Sequence, residues 1–206
     1  MNTKIKFYIG LVWLSTISGI LGIMSSASES FLALTPLYLS LNFLLILCSK
    51  EKSVRVLKAI SIPTLLGFVT EVLGVNFDLI YGTYTYGENL GLKILGVPLV
   101  ICLNWCLLTI VSADVAKLIT PNKVTRILIG ALLMTILDVI IEISAPRFDF
   151  WVFKDGIVPI QNYFAWFIVS CLAHLWYQSY KIDTNAKISC HIIICLYVFF
   201  TVFLFK

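Results

Sequence analysis

Seven long apolar segments dominate this sequence, and they restrict the chain to a bundle of membrane helices. They lie near residues 7–24, 31–48, 56–75, 97–116, 124–143, 161–180 and 188–205. A helix needs about 20 mostly apolar residues to cross a hydrocarbon core roughly 30 Å thick. Composition agrees, since 60% of the 206 residues are hydrophobic and 13% are charged, against roughly 45–50% and 25% in soluble domains. We therefore predict an all-α polytopic membrane bundle of about seven transmembrane helices, with residues 1–206 forming a single membrane domain.

Basic residues are distributed unevenly between the two sides of this bundle. With the N-terminus in the cytoplasm, most of the 15 lysines and arginines face inward: Lys4, Lys6, Lys50, Lys52, Arg55, Lys58, Lys117, Lys123, Arg126, Lys181 and Lys187. The remaining ones are Lys93, Arg147, Lys154 and Lys206. The positive-inside rule therefore predicts a cytoplasmic N-terminus in a multi-pass protein of the cell membrane. The first apolar run is long for a cleaved signal peptide, so we expect it to be retained. The basic residues form no stripe with aromatics, and no nucleic-acid partner is indicated.

Acidic residues interrupt the third and fifth apolar segments. Glu71 lies in the third segment, and Asp138 and Glu142 lie in the fifth. A charged group at the bilayer centre costs about 2.5–3.5 kcal/mol on insertion scales, so such residues are functional candidates. A structural role in helix pairing is the alternative. Asp138 and Glu142 are four residues apart, which places them on one helix face.

A block of similar composition occurs twice along the chain. An acidic segment is followed by a loop with aromatic residues and glycine, 76–96 or 144–160, and the chain enters the next segment through Val97-Pro98 or Val158-Pro159. A tryptophan follows each of these prolines by seven positions, on the same helix face, and an asparagine lies nearby. The residues concerned are Asn104 with Trp105, and Asn162 with Trp166. We expect the two blocks to face each other and build one site.

Four pieces of the two blocks resemble the integral-membrane carotenoid 1,2-hydratase family, which includes bacterial γ-carotene and lycopene hydratases and the archaeal enzymes that hydrate bacterioruberin precursors. They are "EVLGV" at 71–75, "YGTYTYGENLGLKILGVPLVICLNW" at 81–105, "LDVIIE" at 137–142 and "WVFKDGIVPIQNYFAW" at 151–166. The resemblance covers roughly residues 65–170 and does not extend to the first, second or last segment. The chain departs from it in two places: Glu142 stands where an aspartate is expected, and Ile157 stands where the family tends to have tyrosine and glycine.

The resemblance implies hydration of a terminal carotenoid double bond. A proton adds to C-2 of the acyclic (ψ) end group, a tertiary cation forms at C-1, and water captures it. Two carboxyl groups in a low-dielectric site do not both ionise easily, so Asp138 and Glu142 can share a proton and supply the acid. We expect Asp138 to be the acid, Glu71 to be the base, and Asn104 and Asn162 to help hold the water.

The aromatic residues of both blocks can line such a site. Their π faces stabilise a nearby cation by about 0.5–2 kcal/mol each, and glycines let the first loop approach the substrate closely. The expected wall consists of Tyr81, Tyr84, Tyr86, Trp105, Trp151 and Trp166. The alternative is an aromatic belt at the membrane surface.

Other functions fit the sequence less well. The last segment lacks the lysine that a retinal protein needs, two histidines are too few for a di-iron hydroxylase, and "LDVIIE" is too short for a prenyltransferase motif. A membrane carotenoid cyclase, which shares the protonation step, and a non-enzymatic isoprenoid-lipid transporter stay open. We expect no cofactor and no metal; the expected partners are a lipophilic carotenoid within the bilayer and water, and the oligomeric state is left open.

Overall fold

The fold is an α-helical bundle with two small strand pairs in its loops. A computed structural model describes residues 3–51, 53–182 and 186–205; Lys52 and Lys206, counted in the charge asymmetry, lie outside them. Its helices are α1 (Thr3–Ile23), α2 (Ser28–Leu32), α3 (Thr35–Cys48), α4 (Val54–Phe77), α5 (Leu99–Ile119), α6 (Lys123–Ser144), α7 (Ile160–Ser179) and α8 (Ala186–Val202). Its strands are β1 (Tyr84–Tyr86), β2 (Lys93–Ile94), β3 (Val97–Pro98) and β4 (Trp151–Phe153).

Each of the seven apolar segments is helical, which confirms the predicted all-α bundle. The second is broken into α2 and α3, because Pro36 at the start of α3 cannot continue a preceding helix. Among the described residues, five spans have the length and apolarity to cross a membrane: α1, α2 with α3, α4, α5 and α6. Helix α8 is apolar but has only 17 residues, and α7 has 20 residues with polar side chains near both ends. Seven crossings and the orientation therefore stay predictions.

Helix α5 forms the centre of the bundle. It is the most buried of the five spans and packs against α3, α4, α6, α7 and α8. Around it, α4 contacts α5 and α7, while α6 contacts α5 and α7. The helices of the two similar blocks thus form one four-helix group, with α1 and α8 packed together beside it.

The ends of these helices follow from local sequence. Ser53 and Asn122 precede α4 and α6, and each side chain accepts a hydrogen bond from a backbone N–H of the first turn. Pro98 and Pro159 lie immediately before α5 and α7, where a missing N–H costs nothing. The two Val-Pro pairs therefore mark the points where both loops re-enter the bundle.

The two long loops are joined by a strand pair. Strand β1 from the first loop pairs antiparallel with β4 from the second, with Tyr84 opposite Phe153 and Tyr86 opposite Trp151. Within the first loop, β2 pairs with β3. The β1–β4 pair holds the loops together over the same end of α4, α5, α6 and α7.

Candidate active site

A polar cavity lies beneath the paired loops, between α4, α5, α6 and α7. It offers about 30 Å³ of room for water, enough for one or two molecules, since one needs roughly 10–15 Å³. All eleven residues proposed from the sequence line it: Glu71, Tyr81, Tyr84, Tyr86, Asn104, Trp105, Asp138, Glu142, Trp151, Asn162 and Trp166. Ile101, Ile141 and Phe153 complete the lining and were not foreseen. The two blocks therefore do meet in one place.

Glu71 on α4 is surrounded by hydrogen-bond donors. Its Oε2 accepts from the hydroxyls of Tyr84 and, at 2.7 Å, Tyr86. Its Oε1 accepts from Trp105 Nε1 at 3.0 Å. Only 4% of Glu71 is exposed, so these donors replace the water that burial removes. A carboxylate ion has about four lone-pair positions, which leaves one on Oε1 for a further donor such as water.

The tyrosines that bind Glu71 are neutral donors. Burial, followed by the nearby charge of Glu71, raises the pKa of Tyr84 and Tyr86 well above the ordinary value. Burial also raises the pKa of Tyr81, but its hydroxyl donates to Thr70 Oγ1 at 2.9 Å rather than to a carboxylate. Tyr81 therefore contributes its ring to the cavity wall, whereas the other two contribute hydroxyls.

Asp138 and Glu142 on α6 are bridged by one amide. Asn162 Nδ2 lies 2.9 Å from Asp138 Oδ2 and 3.3 Å from Glu142 Oε1. Trp151 Nε1 donates to Glu142 Oε2 at 2.9 Å. Both acids are buried, with 1% of Asp138 and 6% of Glu142 exposed. Two buried carboxyl groups that share one amide donor keep one proton between them more easily than they carry two negative charges.

The two asparagines play different parts. The Asn162 amide already donates to both acids. Asn162 is therefore less suited than Asn104 to hold a water molecule. Within residues 3–51, 53–182 and 186–205, no group forms a hydrogen bond with the Asn104 side chain. Asn104 lies on the cavity wall and is available to water or substrate.

The aromatic wall is formed by rings from both blocks. Trp105 and Trp166, which occupy matching positions in the two blocks, stack with centroids 4.3 Å apart and planes at 14°. Tyr81 lies 6.5 Å from Trp105 and 6.4 Å from Trp166, and Tyr86 meets Trp151 edge-on at 6.1 Å. Trp105 and Tyr81 are buried, Trp166, Tyr86 and Trp151 are partly exposed, and all five line the polar cavity.

Two glycines make this arrangement possible by close approach. A Cβ at Gly67 on α4 would overlap the Trp105 side chain, so glycine lets that side chain approach the helix closely. A Cβ at Gly87 would overlap Asp149, whose carboxylate accepts from the Glu88 backbone N–H at 2.7 Å. The loop glycine therefore fixes the first loop to the second. Ile157, the departure from the family pattern, is 72% exposed and does not line the cavity.

A second, larger cavity of about 220 Å³ adjoins the polar one. Its wall is almost entirely apolar and comes from α1, α2, α3, α5, α6 and α8, with contributions from the loops. The two cavities share four wall residues: Ile101, Asn104, Ile141 and Trp151. Sequence reasoning missed this groove, because its leucines and phenylalanines do not differ in type from those that face lipid.

Metal ligands are not clustered in this part of the molecule. Within the described residues, no three His, Cys, Asp or Glu side chains are grouped as a metal-ion site.

Comparison with known protein families gives a match to one family model, described as carotenoid biosynthesis protein, over residues 31–206. Comparisons with curated proteins and with solved structures give no match.

Proposed function

This chain belongs to the carotenoid biosynthesis protein family, and from that premise we propose that it is a carotenoid 1,2-hydratase. It adds water across the terminal 1,2 double bond of an acyclic (ψ) end group and leaves a tertiary 1-hydroxy carotenoid. In this proposal it is a multi-pass protein of the cell membrane, takes its substrate from the bilayer and uses no cofactor.

The junction of the two cavities carries the proposal. A long hydrocarbon needs an apolar channel, and its hydration needs acid and water at one end of that channel. The apolar groove and the carboxylate cavity meet at Ile101, Asn104, Ile141 and Trp151. A polyene lying in the groove would therefore present its end group to the carboxyl groups.

The reaction begins with proton transfer from Asp138. Its carboxyl group is the most buried of the three acids. Among the described residues it receives one donor, the shared amide of Asn162, and this favours the neutral acid. The proton moves to C-2 as the double-bond electrons form the new C–H bond, and C-1 becomes a tertiary cation. Asp138 is left as an anion, which the Asn162 amide then stabilises.

Water completes the reaction at C-1. The free lone pair on Glu71 Oε1 and the side chain of Asn104 can hold one water in the cavity. The water oxygen forms the C–O bond with C-1, and one of its two protons passes to Glu71. Transfer of that proton back to Asp138 through the acid pair or solvent restores the starting state, so the net change is alkene plus water to alcohol.

The aromatic wall lowers the energy of the cation. The stacked pair Trp105 and Trp166 with Tyr81 offers π faces next to the acids. Such contacts are worth about 0.5–2 kcal/mol each, more when dry. Because the cation exists only along the reaction path, this stabilisation raises the rate rather than the affinity for substrate.

A cyclase is the second candidate, since it would use the same proton transfer and the same aromatic wall. It needs no water, whereas this cavity has room for water and an asparagine available to bind it. A transporter would have to open toward both sides of the membrane, and the β1–β4 pair joins the two loops across one end of the site. Both observations favour the hydratase.

Pigment analysis tests the proposal directly. The full chain is expressed in a lycopene-producing bacterium, and its pigments are compared with those of the Asp138→Asn variant by mass spectrometry. A hydratase gives products heavier by one water per reacted end. A cyclase gives products of unchanged mass and altered retention, and a transporter leaves the pigments unaltered; either result would overturn the proposal. Purified protein in lipid, with no ion gradient, should give the same product as cells.

A further inference from the structure

A basic pocket lies at the opposite end of the bundle from the carboxylate cavity. It has a volume of about 310 Å³ and is formed by the end of α5, the start of α6, the end of α7 and the residues that follow α7. Arg126 and Asp138 are twelve residues apart on α6, which corresponds to roughly 18 Å along the helix axis. The pocket is therefore separate from the proposed active site, at the end that the charge asymmetry predicts to be cytoplasmic.

The lining of this pocket favours an anion. Four basic residues contribute to it: Lys117, Lys123, Arg126 and Lys181. The acid among its lining residues, Asp114, is buried and already engaged by Lys50 Nζ at 3.5 Å and by the hydroxyl of Ser189. The balance of charge in the described part of the pocket is therefore positive.

Buried polar atoms on the same wall have no hydrogen-bond partner among the described residues. They are Arg126 Nε, the hydroxyl of Tyr177 and Gln178 Oε1. Tyr177 is only 4% exposed, and a buried polar group without a partner costs about 1–3 kcal/mol. Two of these atoms can donate to phosphate oxygens, and the third can accept from a hydroxyl. Together they match a phosphate that carries a hydroxylated headgroup.

The surroundings of the pocket are apolar. Leu118 and Ile119 at the end of α5 and Val124 at the start of α6 are each more than 60% exposed. Trp176 near the end of α7 and Tyr180 just after it have rings 5.4 Å apart. Aromatic residues at such positions typically mark the membrane surface. A soluble phosphate would gain nothing from these residues, whereas acyl chains would pack on them.

We propose that this pocket binds the headgroup phosphate of an anionic phospholipid, with phosphatidylglycerol chemistry, from the cytoplasmic leaflet. Basic pockets between membrane helices at that face are suited to anionic headgroups. Arg126 and Tyr177 donate to the phosphate, Lys123 and Lys181 neutralise it, and Gln178 accepts from a headgroup hydroxyl. The lipid thereby links the ends of α5, α6 and α7.

Lipid retention by matched variants tests this site. The full-length protein is reconstituted with phosphatidylcholine and phosphatidylglycerol, released into mild detergent, and its bound lipid is counted by native mass spectrometry. The pocket variant Lys123→Gln/Arg126→Gln is compared with Arg55→Gln/Lys58→Gln, which removes the same charge from exposed positions on α4 at the same face. Each basic residue near an anionic leaflet contributes about fivefold to binding, so general attraction falls equally in both variants.

We expect the pocket variant to retain at least about tenfold less phosphatidylglycerol than the α4 control, because it alone loses the direct donors. Equal losses in the two variants would overturn the proposal. Tyr177→Phe keeps the ring and removes only the hydroxyl, and it should weaken retention by roughly fivefold without loss of charge. If Tyr177→Phe left retention unchanged, the hydroxyl would not contact the lipid, and the proposal would be contradicted.

Inorganic phosphate distinguishes a lipid from a soluble ligand. We expect millimolar inorganic phosphate to leave the bound phosphatidylglycerol in place and to give no increase in thermal stability. Displacement of the lipid by phosphate, or equal stabilisation by both, would show a soluble-anion site and overturn the lipid assignment.

Discussion

Glu71 and the pair Asp138–Glu142 face the same cavity, but their hydrogen-bond surroundings differ. Three separate donors converge on Glu71 alone, from two tyrosines and a tryptophan. Among the described residues, Asp138 receives one amide, which it shares with Glu142. Donors stabilise the charged form of a carboxyl group, and a neighbouring carboxylate opposes it. The contrast suits Glu71 to act as an ion and Asp138 to carry a proton.

This difference matches the two demands of the proposed hydration. Protonation of an alkene needs a neutral acid that is shielded from bulk water. Capture of the cation by water needs an acceptor for the proton that the water loses. The same kind of side chain meets both demands because its neighbours differ. Substitutions that change the neighbours of Glu71 and leave those of Asp138 intact, or the reverse, can separate the roles of base and acid.

Removing the proton donor should have the largest effect. Asp138→Asn keeps the size of the side chain but cannot deliver a proton, and loss of general acid catalysis costs about 10²–10⁴-fold in rate. The rate of product formation is measured per amount of protein in the membrane. Asp155→Asn, the same change on an exposed loop, should retain the wild-type rate. Near wild-type hydration by a normally accumulating Asp138→Asn protein would place the acid elsewhere.

Removing the acceptor should have the next largest effect. Glu71→Gln replaces the ion by an amide that donates as well as accepts, which also disturbs the three donors around it. We expect a loss of roughly 10²-fold, the lower end of the range for general base catalysis, because water is partly activated by the cation itself. The measurement is the rate at saturating substrate, with Glu29→Gln, exposed in α2, as the control. A Glu71→Gln rate within a few-fold of wild type would contradict the role of base.

Removing one donor to Glu71 should have a smaller effect. Tyr84→Phe deletes a hydrogen bond to a charged group, worth about 1.5–3 kcal/mol, while it keeps the ring against Phe153, 5.2 Å away. We expect about tenfold lower activity and a lower unfolding temperature. Tyr81→Phe removes a hydroxyl from the same loop that binds Thr70 instead and should cost less activity. The comparison fails if the two tyrosine variants lose equal activity.

Shortening the second acid should have the smallest effect. Glu142→Asp keeps a carboxyl group next to Asp138 but moves it by one methylene from Trp151 and Asn162. We expect a loss of only a few-fold, because the shared proton is retained. Glu142→Gln removes the second carboxylate, and it should change the pH dependence of the rate as well as its size. If Glu142→Asp lost as much activity as Asp138→Asn, Glu142 itself would be the proton donor.

Much of the fold and of the residue set was predictable from sequence, for physical reasons. A bilayer requires long apolar helices, so seven segments could be located within a few residues of α1–α8. Acids are costly inside such helices, which singled out Glu71, Asp138 and Glu142. The Val-Pro pairs marked where each loop returns, because proline fits the start of a helix and not its interior.

Partnerships within the site could not be predicted. Nothing in the spacing indicates that Asn162 bridges the two acids or that Trp105 donates to Glu71, since both contacts join distant helices. The pairing of β1 with β4 depends on packing across the bundle. The apolar groove could not be predicted, because leucine is equally favourable next to a hydrocarbon substrate and next to lipid.

The β1–β4 pair also has a consequence for the order in which the protein is made. Tyr84–Tyr86 leaves the ribosome some 65 residues before its partner Trp151–Phe153, and two further helices must be inserted in between. Strand β1 of the first loop, with its buried tyrosines, therefore has no partner strand during that interval. The cavity of the proposed active site is assembled only after α6 has been inserted and the second loop has reached the first, late in biogenesis. Substitutions in either strand should consequently yield protein that is inserted normally but matures poorly.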